Sequence, residues 1–318
     1  MILKYSKSMA DVDFSSKKDA GDFNVTWIHG SQRKGGMRDP PIQVHYYDQH
    51  TVIMRESKDV SFEAPFLYLF FGNKKALLVD TGATGDSSKF PLRSTVDGIM
   101  EKWLAGNHHQ NYELIIVHTH GHNDHTSGDV QFAGRPNTTI VSKDVDSVKA
   151  FFGIGEWPQG SAEYDLGGRV LDVFPIPGHD LRSISIFDRY SGFLLTSDTV
   201  CRGRLYISDF PSFLASLERL VSFSKENHVK YIMGSHVEMS RKPRHDYPAT
   251  ARFQPDEPQL QMSVGQLETL MKAAEEVKNK PGAHKFNDFI IFNGPCYGAV
   301  VKQLIRGIFY NLKYRLRS

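Results

Sequence analysis

Six consecutive apolar residues, Phe66-Leu67-Tyr68-Leu69-Phe70-Phe71, lie one Gly72-Asn73 turn before a second run, Ala76-Leu77-Leu78-Val79, which ends on Asp80. Short aromatic and branched runs around such a turn predict a β-hairpin. Val96, Ile99, Met100 and Trp103 then recur at helical spacing, predicting a helix over 94–104. A buried-type strand, Leu114 to Val117, runs directly into a histidine-rich loop. Strands are predicted over 139–141 and 169–177, with a helix over 144–152 between them. A strand pair over 183–187 and 192–196 closes at Ser197-Asp198, and Phe213, Leu214, Leu217, Leu220 and Val221 mark the next helix. The strand 231–233 closes at Gly234-Ser235-His236. A helix over 264–280 is stopped by Pro281-Gly282. The segment 299–317 is apolar on one face and carries Lys302, Arg306, Lys313, Arg315 and Arg317. The favoured reading is a terminal helix docked on the body with a solvated basic face, and the other is a helix lying on an anionic membrane. The first sixty residues are polar and irregular, with a Gly/Arg/Pro-rich turn region over 30–41, so regular structure is expected to begin at Phe66.

Most strand-like runs end on a His or Asp, which gathers polar groups at strand ends, where function concentrates. The fold class is therefore α/β (α+β), sheets in a sandwich flanked by helices. Three regions are expected: a lead-in over 1–60 packed on the core, a core domain over 61–240, and a helical extension over 241–318. A net charge of +2 is too small to direct the chain to nucleic acid or a membrane. Cys201 and Cys296 define no disulfide framework and read as reduced thiols. Charged residues interrupt 1–20, so no secretory signal is read there. No stretch approaches the ~18 apolar residues of a spanning helix, so a cytoplasmic location without stable membrane insertion is expected.

The chemistry is concentrated in His120-Gly121-His122-Asn123-Asp124-His125. Imidazole and carboxylate are the ligands preferred by zinc and similar divalent ions. On a regular strand His120, His122 and Asp124 would share one face, with His125 on the other. A loop can instead splay them so that His120 and His122 grip one ion while Asp124 and His125 grip a second. His118, just before the cluster, reads either as a residue supporting the ligands from behind or as structural, while His108, His109, His228, His245 and His284 read as ordinary satisfied polar groups.

This His-x-His-x-Asp-His run resembles the signature of the metallo-β-lactamase superfamily. Asp80 in Leu-Leu-Val-Asp-Thr-Gly resembles the family's first aspartate, which supports the metal loop without binding metal. Pro177-Gly178-His179 resembles the third-ligand motif. Leu195 to Thr199 resembles the bridging-aspartate motif, with Ser197 where many members have Gly, and Gly234-Ser235-His236 resembles the last ligand. The resemblance spans Phe62 to His236 and implies a four-layer αβ/βα sandwich with its site at one edge. It implies that His120, His122 and His179 hold one metal, that Asp124, His125 and His236 hold another, and that Asp198 bridges them. Two divalent ions are implied, zinc first, with iron or manganese as alternatives, and Asp124 and Asp198 as the catalytic carboxylates.

The activity implied is hydrolysis of a small ester, lactone or lactam by a hydroxide shared between the metals. The alternatives are a glyoxalase-II-like thioesterase and an iron-dependent oxidoreductase similar to persulfide dioxygenases. Zinc β-lactamases carry Cys or a non-bridging Ser at the position of Asp198, so the resemblance is to other branches. Quorum-quenching lactonases place Tyr where this chain has Cys201, leaving Tyr206 as the tyrosine able to reach in from the same loop. The partner expected is a small-molecule substrate, without nucleic acid and with a homodimer left open. The segment 151–158 reads equally as an apolar lid or as ordinary surface packing.

Overall fold

The computed structural model describes residues 11–15, 21–31 and 39–316. Residues 32–38 of the expected turn region, Arg317 and most of 1–20 lie outside these. The chain runs through β1 (Ile42–Tyr46), β2 (Thr51–Glu56), β3 (Phe66–Phe71), β4 (Lys75–Val79), α1 (Leu92–Gly106) and β5 (Glu113–Val117). Two short helices follow, α2 (Asn123–Thr126) and α3 (Asp129–Phe132), then β6 (Thr138–Ile140), α4 (Val145–Phe152), β7 (Ala162–Asp165) and β8 (Val170–Pro175). Next come β9 (Ile184–Asp188), β10 (Phe193–Ser197), β11 (Arg204–Ile207), α5 (Phe210–Glu226) and β12 (Tyr231–Gly234). The last elements are α6 (Val264–Val277), β13 (Gly282–Lys285), β14 (Ile290–Asn293) and α7 (Tyr297–Leu316).

Alternation along the strands builds the layers. The first sheet has the order β1-β2-β3-β4-β5-β6 and the second β12-β10-β9-β8-β7. Phe66, Tyr68, Phe70, Leu77, Val79, Ile115 and Val117 face Leu171, Val173, Ile184, Ile186, Phe193 and Leu195 in a core between the sheets. The alternate residues Leu67, Leu69, Phe71, Leu78, Leu114 and Ile116 face outward, against Val96, Ile99, Met100 and Trp103 of α1. On the other side Phe174, Phe187, Leu194 and Ile232 pack on Phe213, Leu217 and Leu220 of α5 and Leu267 and Leu270 of α6. Helix, sheet, sheet, helix is the four-layer order expected.

The expectation that regular structure begins at Phe66 is corrected. β1 and β2 are full members of the first sheet, β2 pairing antiparallel with β3. The charges that close β2 are buried and bonded. Arg55 forms a two-pronged ion pair with Glu257 at 2.6 and 2.9 Å, and Glu56 is fully buried. The extension is also not purely helical, since β13 and β14 join β11 in a three-stranded sheet. α7 docks on the body through polar contacts and through Ala299 and Val300, and Lys302 and Lys313 are exposed as expected, but most of its apolar side chains also face outward, which was not expected.

Candidate metal centre

Parallel pairing of β4 with β5 sets Val79 beside Val117, so Asp80 and the histidine loop leave the sheet together. β10 pairs parallel with β12, and the ladder shifts register between Leu195 and Ser197, a bulge that re-aims the chain into Asp198. β8 lies antiparallel to β9, and β9 to β10, so β8 points the same way and its end delivers His179. The sheets are tied at this edge, because the Ile184 N–H donates to the Thr119 carbonyl and Tyr68 Oη to the Gly234 carbonyl. Gly178 is held at φ 140°, and a Cβ there would come within 2.5 Å of Phe213, so helix α5 needs a glycine beside His179. In the signature loop the strand ends before His120, and Asn123 to Thr126 form one helical turn that swings Asp124 and His125 away from His120 and His122.

All seven expected ligands come together in two groups, His120, His122 and His179, and Asp124, His125, Asp198 and His236. Within each group the candidate ligand atoms lie within 4.8 Å of one another. In the first, His122 Nδ1 is 2.9 Å from His120 Nε2 and 3.1 Å from His179 Nε2. In the second, Asp124 Oδ2 is 3.3 Å from His125 Nε2 and 3.2 Å from His236 Nε2. Asp198 reaches both, with Oδ1 3.6 Å from His125 and 3.4 Å from His236, and Oδ2 3.7 Å from His179. His125 Nε2 and Asp198 Oδ1 are buried without a hydrogen-bond partner. Orphaned buried groups of this kind are costly unless a cation completes them, so the donor set fits divalent metal.

The other ring nitrogens are fixed from behind. His125 Nδ1 donates to Asp80 Oδ2 at 2.8 Å, His179 Nδ1 to the Tyr206 carbonyl at 2.7 Å, and His236 Nδ1 to the Glu63 carbonyl at 3.1 Å. A relay serves His120, whose Nδ1 donates to Ser197 Oγ at 3.1 Å, Ser197 to Thr119 Oγ1 at 2.6 Å, and Thr119 to Asp80 Oδ2 at 2.8 Å. These bonds select the tautomer whose lone pair faces the cluster. His122 Nε2 faces Asp180 Oδ2 at 3.5 Å, and Arg182 holds that carboxylate. Sequence reasoning identified Asp80 but missed Ser197, Thr119, Asp180 and the carbonyls of Glu63 and Tyr206. A carbonyl carries no residue-type signal.

His120 and His122 differ in proton affinity from His125 and His236. Burial lowers His120 well below its ordinary value and lowers His122 as well. Burial also works against charge on His125 and His236, but Asp80, Asp124 and Asp198 outweigh it, raising His125 and taking His236 up to about 9. For Asp124 and Asp198 burial opposes ionisation, yet the facing histidines hold both far below the ordinary carboxylate value.

His118 donates or accepts at Asp129, 2.8 Å away, outside both groups. Cys201 is buried in the outer apolar layer with its thiol pushed up by burial, so it is inert. Tyr206 meets the site through its carbonyl, while its ring packs on Phe292 at 4.6 Å. Phe152 and Ile154 belong to the inter-sheet core, which removes them from any lid, and the Trp157 indole N–H donates to the Leu181 carbonyl just beyond His179.

A family profile described as the metallo-beta-lactamase superfamily matches residues 62–236, more than half of the chain. A hydroxyacylglutathione hydrolase of Anaeromyxobacter dehalogenans is 30% identical over 135 residues, 42% of this chain and only 46% of that relative's length. A probable metallo-hydrolase of Methanocaldococcus jannaschii is 29% identical over 201 residues, 57% of this chain and 91% of the relative. The solved metallo-β-lactamase of Erythrobacter litoralis superposes with a TM-score of 0.50 at 14% identity, over 76% of this chain and 99% of that one. The DIM-1 metallo-β-lactamase does so with a TM-score of 0.50 at 14% identity, over 75% and 98%. At such identities the structural likeness concerns the fold alone.

Proposed function

The chain belongs to the metallo-β-lactamase superfamily, and from that premise we propose that it is a hydrolase that binds two divalent metal ions and cleaves a small ester, lactone or lactam. Asp198 carries the reading, because one carboxylate offers Oδ1 to the His125/His236 group and Oδ2 to His179. His120, His122 and His179 would hold one ion, Asp124, His125 and His236 the other, and Asp198 both, with zinc the ion that suits this nitrogen and oxygen set. When bound, such a pair supplies an acidified water and a Lewis acid for the substrate carbonyl.

The chain's own residues do the rest. Asp80 fixes His125 directly and His120 through Thr119 and Ser197, so the lone pairs stay aimed without rearrangement. Asp124, ionised and more exposed than Asp198, is the carboxylate able to pass a proton from water to the leaving atom. No serine or cysteine nucleophile is required. A thioester substrate is the second reading, favoured by the name of the Anaeromyxobacter relative, hydroxyacylglutathione hydrolase.

The test is proton release by the zinc-loaded protein against esters, lactones, β-lactams and thioesters, with and without chelator. Chelator-sensitive turnover of an oxygen ester, lactone or lactam, with about two ions per chain by elemental analysis, is expected. Turnover confined to thioesters would select the second reading. A His122→Ala/Asp198→Ala variant should fold and lose turnover, and full activity in it would sink the proposal.

A further inference from the structure

Twelve large apolar side chains are exposed among the described residues, and seven of them lie on α7: Tyr297, Val301, Leu304, Ile305, Ile308, Phe309 and Leu312. At 3.6 residues per turn they form one continuous stripe along the helix. The helix cannot roll over to bury it, because its opposite side is fixed by specific bonds. Gln303 donates to Asp246 at 2.8 Å and Arg306 at 3.1 Å, and Asp246 is itself buried. Tyr310 donates to the Phe253 carbonyl at 2.8 Å and Asn311 to the Thr250 carbonyl at 2.8 Å. A Cβ at Gly307 would meet the Ala249 carbonyl oxygen at 2.0 Å, so the helix approaches the body at a glycine. The outward apolar stripe is thus a built feature of the docked helix.

Charge decides what covers it. Residues 289–318 contain five basic side chains, Lys302, Arg306, Lys313, Arg315 and Arg317, and no Asp or Glu. Lys302 and Lys313 are exposed on one flank of the stripe and have no acidic partner among the described residues. An antiparallel pair of these helices would bring Lys302 of one copy towards Lys313 of the other with nothing to neutralise them. An anionic bilayer satisfies both halves of the pattern, apolar residues entering the acyl boundary while the lysine stems reach back to phosphate. From this face we infer that the protein docks peripherally on anionic membranes through α7, lying in the interface without crossing it. No helix among the described residues is long and apolar enough to cross a membrane.

The test is flotation of the full chain with phosphatidylcholine vesicles and with vesicles containing phosphatidylglycerol, alongside sedimentation of the free protein. Binding to anionic vesicles, weakened by salt, is expected. Ile308→Asp/Phe309→Asp should abolish it, and Lys302→Ala and Lys313→Ala should each weaken it about fivefold, with circular dichroism unchanged. Absence of binding to either vesicle, or equal binding to both, would overturn the inference. So would a concentration-dependent dimer broken by Ile308→Asp, which would assign the stripe to a second copy.

Discussion

Ser197 sits at φ 49°, a left-handed conformation that glycine adopts without cost, yet its hydroxyl links His120 to Thr119. Its substitution separates the two effects. In Ser197→Gly the backbone gains what the hydrogen bonds lose, so stability of the metal-free protein should change by no more than about 1 kcal/mol. Zinc affinity should nevertheless fall about 10- to 100-fold, because His120 loses the partner that sets its tautomer. Competition with a chelating dye reads the affinity and thermal melting reads the stability. Unchanged affinity would mean that Thr119 and Asp80 orient His120 without the serine. The sequence marked Ser197 as a departure from the family pattern. Its task was not legible there, since the partner Thr119 is 78 residues away in the chain.

At the scale of elements, the strands that carry ligands were the legible ones. β3, β4, β5, β9, β10 and β12 are buried on both faces or nearly so, which writes an apolar run into the sequence, and four of the six lead into Asp80, the histidine loop, Asp198 or His236. β2 was missed although it is also buried throughout, because it ends in Arg55 and Glu56, whose partners lie in distant segments. Glu56 accepts from the Ala83 N–H at 2.7 Å and from Thr84 Oγ1 at 2.5 Å, fixing the loop that follows Asp80. Burial, with lesser repulsion from Asp124 and Glu63, pushes its carboxyl up to about 7 despite those two bonds. The folded chain therefore keeps this proton where the unfolded chain releases it, and the contribution present below about pH 4.5 is lost as pH rises through 7. Glu56→Gln removes the titration. In chelator-treated protein, the stability of wild type relative to this variant should fall by up to about 3 kcal/mol between those limits. Denaturant melts across the range measure it, and parallel pH profiles would show that Glu56 is already ionised in the fold.

In the whole molecule the two sheets are joined at both ends, by the ligand loops at one and by Arg169 at the other. Arg169 is fully buried and donates to both Asp188 oxygens, to the carbonyls of His50 and Phe71, and to Thr51 Oγ1. Asp188 ends β9 in the second sheet, whereas Thr51 and Phe71 belong to β2 and β3 in the first, so one guanidinium spans the sandwich. This end holds none of the clustered ligands, although an open cleft of about 660 Å³ lies there between Tyr46 to His50 and the end of α1. Removing one member of a buried pair strands the other, so Arg169→Met should cost about 3–5 kcal/mol, and adding Asp188→Leu should recover much of that loss. Zinc affinity should stay unchanged in both variants, because the ligand loops are held by their own bonds to Asp80, Thr119 and Gly234. Melting temperature and zinc affinity falling together would instead make sheet spacing at the far end part of the geometry of the metal centre.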